Sequence, residues 1–164
     1  MAQAFEAVSL DDRFSDAFPP LFSIAYRVAY RLTGVPAEAE DLAAEALVRA
    51  YTHWDRLGEA PYVEAWVVRV TTNLTLHHLA RKRPRLEQVP LRDVEDAVAV
   101  RLALVEALRA LPARQREAIV LRHLAGLPEP LVAAALGVSL GTVKTHLRRG
   151  LVKLRGGLGE QGAG

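Results

Sequence analysis

The apolar residues of this chain recur at helix spacing almost from end to end, and strand-type alternation is nearly absent. Its core must therefore be built from helices packed on helices. Residues 14–32 place Leu21, Phe22, Ala25, Val28, Ala29 and Leu32 at that spacing. Pro19 and Pro20 are expected to break the front of the segment, so that the main helix starts there, and Thr33-Gly34 ends it. Pro36 suits a first helical turn, and residues 37–57 read as the next helix. Leu47, Tyr51 and Trp54 form its inward stripe, with Glu38, Asp41, Glu45 and Arg49 on the opposite side. A third helix over 62–79 has the stripe Val63, Trp66, Val67, Val70 and Leu74.

Residues 81–93 break this pattern. They hold Pro84, Pro90 and a basic cluster (Arg81, Lys82, Arg83, Arg85) without a clean period, and read as a linker. Asp93, Glu95 and Asp96 favour the start of a fourth helix ending near Leu111. Pro112 begins a fifth, which stops at Gly126. Pro128 and Pro130 precede a short helix ending at Leu136-Gly137, and Ser139 is the N-cap of a last helix over 140–154. The stretch 156–164, with five glycines in nine residues, is expected to fray. The predicted fold is all-α: two small helical domains, 1–80 and 94–155, joined by the linker 81–93, the second domain a helix-turn-helix.

Composition narrows the chemistry. At 164 residues, 51% of them hydrophobic, the chain can bury a real core. With no cysteine it has no disulfide, zinc finger, thiol nucleophile or iron–sulfur ligand set. No apolar run is long enough to span a bilayer, and the first ten residues carry no signal-peptide pattern. The expectation is a soluble, cytoplasmic protein with no membrane partner. The five histidines are scattered, without a ligand pattern. Gly137-Val-Ser-Leu-Gly-Thr-Val-Lys-Thr only faintly resembles a phosphate loop, since its lysine does not follow glycine and no strand precedes it. The carboxylate pairs Asp11-Asp12 and Asp93-Val-Glu-Asp come with no visible pocket. No catalytic residue, metal site or cofactor is predicted, and the chain is not expected to be an enzyme.

A net charge of +2 hides a division. Residues 1–60 hold five basic against ten acidic residues, whereas 109–155 hold nine against two. Clustered basic surface, more than net charge, governs nucleic-acid affinity. The basic segment contains the sharpest motif. Residues 131–136, the turn Gly137-Val138-Ser139 and the helix after it have helix-turn-helix form, with Gly137 supplying a positive backbone angle. Val143, Leu147, Leu151 and Leu154 are spaced as a packing face. Lys144, Thr145, Arg148 and Arg149 lie away from it, where they could reach base edges and phosphates. The Thr142 hydroxyl, near the helix N-terminus, suits a phosphate.

Leu108-Arg-Ala-Leu-Pro-Ala-Arg-Gln-Arg-Glu-Ala-Ile-Val-Leu-Arg followed by Leu136-Gly-Val-Ser-Leu-Gly-Thr-Val-Lys-Thr-His-Leu-Arg-Arg resembles region four of bacterial extracytoplasmic-function (ECF) RNA polymerase sigma factors. Tyr30-Arg-Leu-Thr-Gly, Glu38-Ala-Glu-Asp-Leu, Arg49-Ala-Tyr and Ala65-Trp-Val-Val-Arg-Val-Thr-Thr-Asn-Leu resemble region two, in the family's order. The resemblance implies two partners, core RNA polymerase and promoter DNA, the latter as a duplex −35 element and an unstacked −10 element. The matching −35 positions are Lys144, Thr145, Arg148 and Arg149. Asp41, Glu45 and Arg49 match the core-polymerase surface. Asn73 matches the family's asparagine at the −10 element, where an amide suits a base edge. Arg69 and the cluster Arg81, Lys82 and Arg83 would hold the strand backbone. Tyr62 would stack on bases, and Trp66 reads as core.

Four residues depart from the pattern. Ala44 stands where the family has glutamine, which removes a polar core contact. Pro128, Pro130 and Leu131 replace the usual capped entry to the first helix of the helix-turn-helix. Leu131 is then either an isolated surface residue or an anchor for a protein partner such as an anti-sigma factor. Leu131→Glu is expected to leave folding intact, and a large loss of thermal stability would mark Leu131 as core. Two other functions fit parts of the sequence. A stand-alone helix-turn-helix regulator leaves the Asp41 and Asn73 blocks unexplained, and a sigma-like adaptor would bind polymerase without initiating.

Overall fold

A computed structural model describes residues 10–86 and 96–161, and every regular element among them is helical. Helix α1 (Leu10–Thr33), α2 (Pro36–Thr52), the short α3 (Trp54–Leu57) and α4 (Val63–Leu86) make the first unit. The second comprises α5 (Asp96–Ala110), α6 (Ala113–Ile119), a π-helical turn (Val120–Leu124), α7 (Glu129–Leu136) and α8 (Leu140–Gln161).

Four boundaries differ from the sequence expectation. The helix expected over 37–57 is interrupted at His53, which ends α2 and precedes the separate α3. Pro19 and Pro20 lie inside α1 rather than at its start. The turns before them are held by an aromatic ladder in which Phe14, Phe18, Phe22, Tyr26 and Tyr30 follow one another at four-residue steps. Phe14 also packs edge-on against Trp54, with centroids 5.0 Å apart, and against Tyr51. Such contacts offset the backbone hydrogen bonds that proline cannot make. Helix α4 continues through Arg81, Lys82, Arg83 and Pro84 to Leu86, so the first six residues of the expected linker are helical. Lys82 is tied to Glu38 of α2, which pins the turn just before the proline. The rest of that linker lies outside the described residues. Helix α8 likewise runs past Leu154 to Gln161 instead of fraying from Gly156. Gly157 faces Ala107 of α5 and is half-buried, while Gly156, Leu158 and Gly159 beside it are exposed.

The burial pattern otherwise follows the periodicity. Leu21, Ala25, Leu47, Trp54 and Val67 form one cluster within the first unit. Tyr51, read as inward, is exposed and lies at the rim of this cluster against Phe14. Trp66 is half-buried, as a core-facing residue would be. A second cluster joins the two units. Ile24, Val28 and Leu32 of α1 and Ala65, Val68 and Leu76 of α4 share it with Leu108, Leu121, Val132, Val143 and Leu147. Arg31 of α1 donates to the Leu124 carbonyl at 2.5 Å, and Arg27 to that of Ala125 at 3.5 Å. Gly34, at φ +69°, lets the Arg101 guanidinium lie over its Cα, where any side chain would collide with it.

Candidate nucleic-acid interface

The helix-turn-helix is built as its sequence dictates. Pro128 and Pro130 occupy the entry of α7, and no side chain caps it. Leu131 is half-buried, while Val132 and Leu136 are buried in the shared core. Gly137 ends α7 in the left-handed region at φ 65°, as expected. Ser139 then caps α8 by accepting the Thr142 N–H at 3.1 Å. Val143, Leu147 and Leu154 are buried, and Leu151 is half-buried. That burial turns Lys144, Arg148 and Arg149 outward, all exposed, and no ion pair holds them among the described residues. Two hydroxyls are already engaged. Thr142 Oγ1 shares a hydrogen bond with Ser139 at 2.9 Å, and Thr145 donates to the Gly141 carbonyl at 3.0 Å. Each oxygen retains acceptor capacity.

Two polar residues beside this face, one of them basic, were not singled out from sequence. Gln115 of α6 and Lys153 of α8 join Arg148, Arg149 and Val152 around an open groove of about 380 Å³. Gly150 makes that approach of α6 to α8 close, since a Cβ there would meet Ile119 Cδ1 at 2.5 Å. Proximity across 35 residues leaves no trace in local spacing.

On α2, Asp41, Glu45 and Arg49 are exposed at steps of four, with a Glu45–Arg49 ion pair of 2.6 Å. Ala44, where the family's glutamine would supply a polar contact, is exposed on this same surface beside Asp41 and Glu45. Glu38 does not join the exposed group. It turns toward α4, where it meets His78 Nε2 at 3.0 Å and Lys82 Nζ. Together with Asp41, Glu45, Arg49, His77 and Arg81 it lines a groove of about 410 Å³ between α2 and α4. Of the basic cluster, then, Arg81 is exposed and Lys82 is paired, while only the backbone of Arg83 is described.

Burial alone would raise the Glu38 pKa, but hydrogen bonds and positive charge from Lys82 and His78 outweigh it, leaving the carboxyl below its ordinary 4.5. A depressed carboxylate stabilises the fold above its unfolded-state pKa, and that contribution is lost as pH falls through the folded one. Wild type should therefore melt higher than Glu38→Gln at about pH 6 and lose that advantage by about pH 3. Thermal melts across this range check it, and a constant difference would show that the pair carries no linkage.

On α4, Arg69, Asn73 and His77 succeed one another at four-residue steps. Asn73 is exposed and borders two crevices facing α6, one lined by Arg116 and Glu117, the other by Arg109 and Arg116. Arg69 is paired rather than open, its Nε and Nη2 both donating to Glu117 Oε1 at 3.1 and 3.0 Å. Tyr62 is exposed before α4, whereas Trp66 packs against the His53 ring. Among the described residues no cluster of three His, Cys, Asp or Glu could hold a metal ion, and no helix is long and apolar enough to cross a membrane.

Known proteins share this arrangement. The family model described as Sigma-70 region 2 matches residues 21–85, and that of Sigma-70, region 4 matches residues 101–154. The RNA polymerase sigma-E factor of Streptomyces avermitilis is 40% identical over 135 residues, covering 79% of this chain and 75% of that one. The ECF RNA polymerase sigma factor SigW of Bacillus subtilis is 32% identical over 165 residues, covering 88% of each. In fold, the chain is similar to the sigma factor RpoE crystallised with the anti-sigma factor NepR from Bartonella quintana. That match has a TM-score of 0.54 and 24% identity over 88% of this chain and 96% of the other. Two helical units in the region-two and region-four order, matched along most of two curated relatives, place the chain in the ECF family of RNA polymerase sigma factors, the subunits that direct polymerase to initiate transcription at promoters.

Proposed function

We propose that the two units divide promoter recognition between them. In this reading residues 94–155 hold the duplex −35 element, with α8 in the major groove and Lys144, Thr145, Arg148 and Arg149 reaching base edges and phosphates. The first unit, residues 1–80, docks on core polymerase through Asp41, Glu45 and Arg49. It holds the unstacked −10 element through Asn73, Arg69 and the basic end of α4, with 81–93 joining the two units. Capturing unstacked bases makes strand opening favourable by stabilising its product. The work is binding, with no covalent step, and its setting is the cytoplasm.

The observation that carries this reading is the outer face of α8, where Lys144, Arg148 and Arg149 stand exposed with no acidic partner among the described residues while the opposite face is buried. A basic face free of internal pairing is available to phosphates. Run-off transcription with purified core polymerase tests the whole. Core-dependent, promoter-specific transcripts support it. Core binding without transcripts supports the adaptor, and repression of a pre-initiated promoter supports the stand-alone regulator. A relative in fold crystallised with an anti-sigma factor extends the proposal to a protein partner of that kind.

A further inference from the structure

Leu140 opens α8 with an apolar side chain that the core does not take up. It is 41% exposed and belongs to none of the apolar clusters among the described residues, unlike Val143 and Leu147 after it. The Ser139 cap holds it in the first turn of the helix. Four-residue steps place it at the head of one exposed stripe with Lys144 and Arg148. Gly141 beside it is also exposed, and an added Cβ there would meet only Ser139 Oγ, at 3.8 Å. The tip of α8 is therefore slim next to the leucine. A single exposed leucine on a protein surface needs no explanation. This one stands at the end of the helix that meets base edges first when such a helix enters the major groove.

We propose that Leu140 reads a thymine of the upstream element through its C5-methyl group. Among the four base pairs, that methyl is the apolar group the major groove presents. A leucine side chain has no donor or acceptor, so apolar contact is the readout open to it. It also selects against other bases at that position, because covering a cytosine amino group or a guanine carbonyl would strip water from a polar group and return no hydrogen bond. The stripe from Leu140 to Arg148 is about 12 Å long, against about 3.4 Å per base step, so the two residues address different base pairs. Leu140 thus adds an apolar specificity contact to the basic ones on the same face. This rests on reading α8 as the major-groove helix of the −35 element.

The test removes the methyl alone. An upstream element is first selected from randomised duplex by the wild-type holoenzyme, and each of its thymines is then replaced in turn by deoxyuridine, which keeps the base pairing. Holoenzyme affinity is measured by competition, and thermal melts confirm that each variant is folded. Wild type should lose about fourfold at one thymine, the worth of one buried methyl-sized group, and stay unchanged at the others. Leu140→Ala should bind the unmodified element more weakly and be indifferent to that deoxyuridine. Leu140→Met, which keeps an apolar side chain, should retain the sensitivity. If no deoxyuridine affects wild type while Arg148→Ala weakens binding, the Leu140 contact is overturned and the −35 reading stands. Equal sensitivity in wild type and Leu140→Ala also overturns it, since another residue then reads the methyl. If neither deoxyuridine nor Arg148→Ala changes affinity, the −35 reading fails and the Leu140 contact falls with it.

Discussion

Arg148→Ala is expected to lower transcription from a promoter that depends on its upstream element by about thirtyfold, the mid-range loss when a side chain reading a base edge is removed. The reason lies in how α8 is held. Burial of Val143, Leu147 and Leu154 fixes the helix rotation, which leaves Arg148 one turn after Lys144 on the outward side. Its guanidinium has no internal partner among the described residues to compete with DNA. Whether it reads a base or a phosphate is separable by measurement. A base contact relaxes preference at one promoter position. A phosphate contact weakens all sequences alike and lowers the salt slope of holoenzyme binding by about one. Unchanged promoter preference and unchanged salt slope together would remove Arg148 from the interface.

Leu121→Ala should lower thermal stability by about 3 kcal/mol, the usual cost of truncating a fully buried leucine. For a chain of this size that is a fall of roughly 6–12 °C in melting temperature. Leu121 is fully buried at the start of the π-helical turn, in the cluster that also contains Val28 of α1 and Val68 of α4. Because that cluster crosses between the units, the whole unfolding transition should move as one in calorimetry. A shift confined to part of the heat-absorption peak would show that the two units unfold independently.

The sequence was most legible where the determining forces are local. Ser139 as a cap, Gly137 as a left-handed turn and the spacing of Val143, Leu147 and Leu154 concern residues within two or three turns of one another. All three stand in the structure as the sequence predicts. The exposed run Asp41, Glu45 and Arg49 follows from helix periodicity in the same way. Tyr51 shows where periodicity stops being sufficient. It falls on the inward stripe of α2, yet the bundle edge is reached there and Phe14 is its neighbour. Pro19 and Pro20 reveal a second limit, since the contacts that keep α1 continuous come from Trp54 and Tyr51 on other helices. Pairings across 40 or more residues were beyond reach. Glu38 with His78, and Arg69 with Glu117, join helices whose crossing no single sequence discloses.

The π-helical turn sets a phase. It holds one residue more than an α-helical turn would need, closed by the Ala125 N–H on the Val120 carbonyl at 2.9 Å. Removing that residue, His123 for example, would relax the turn to α geometry and rotate everything after it by about 100° relative to α6. The carbonyls of Leu124 and Ala125 would swing away from Arg31 and Arg27, and α8 would present a different side to solvent. The angular setting of the recognition helix is thus counted out in single residues upstream of it, so a one-residue gap at 120–124 would turn the reading face without altering any residue on it.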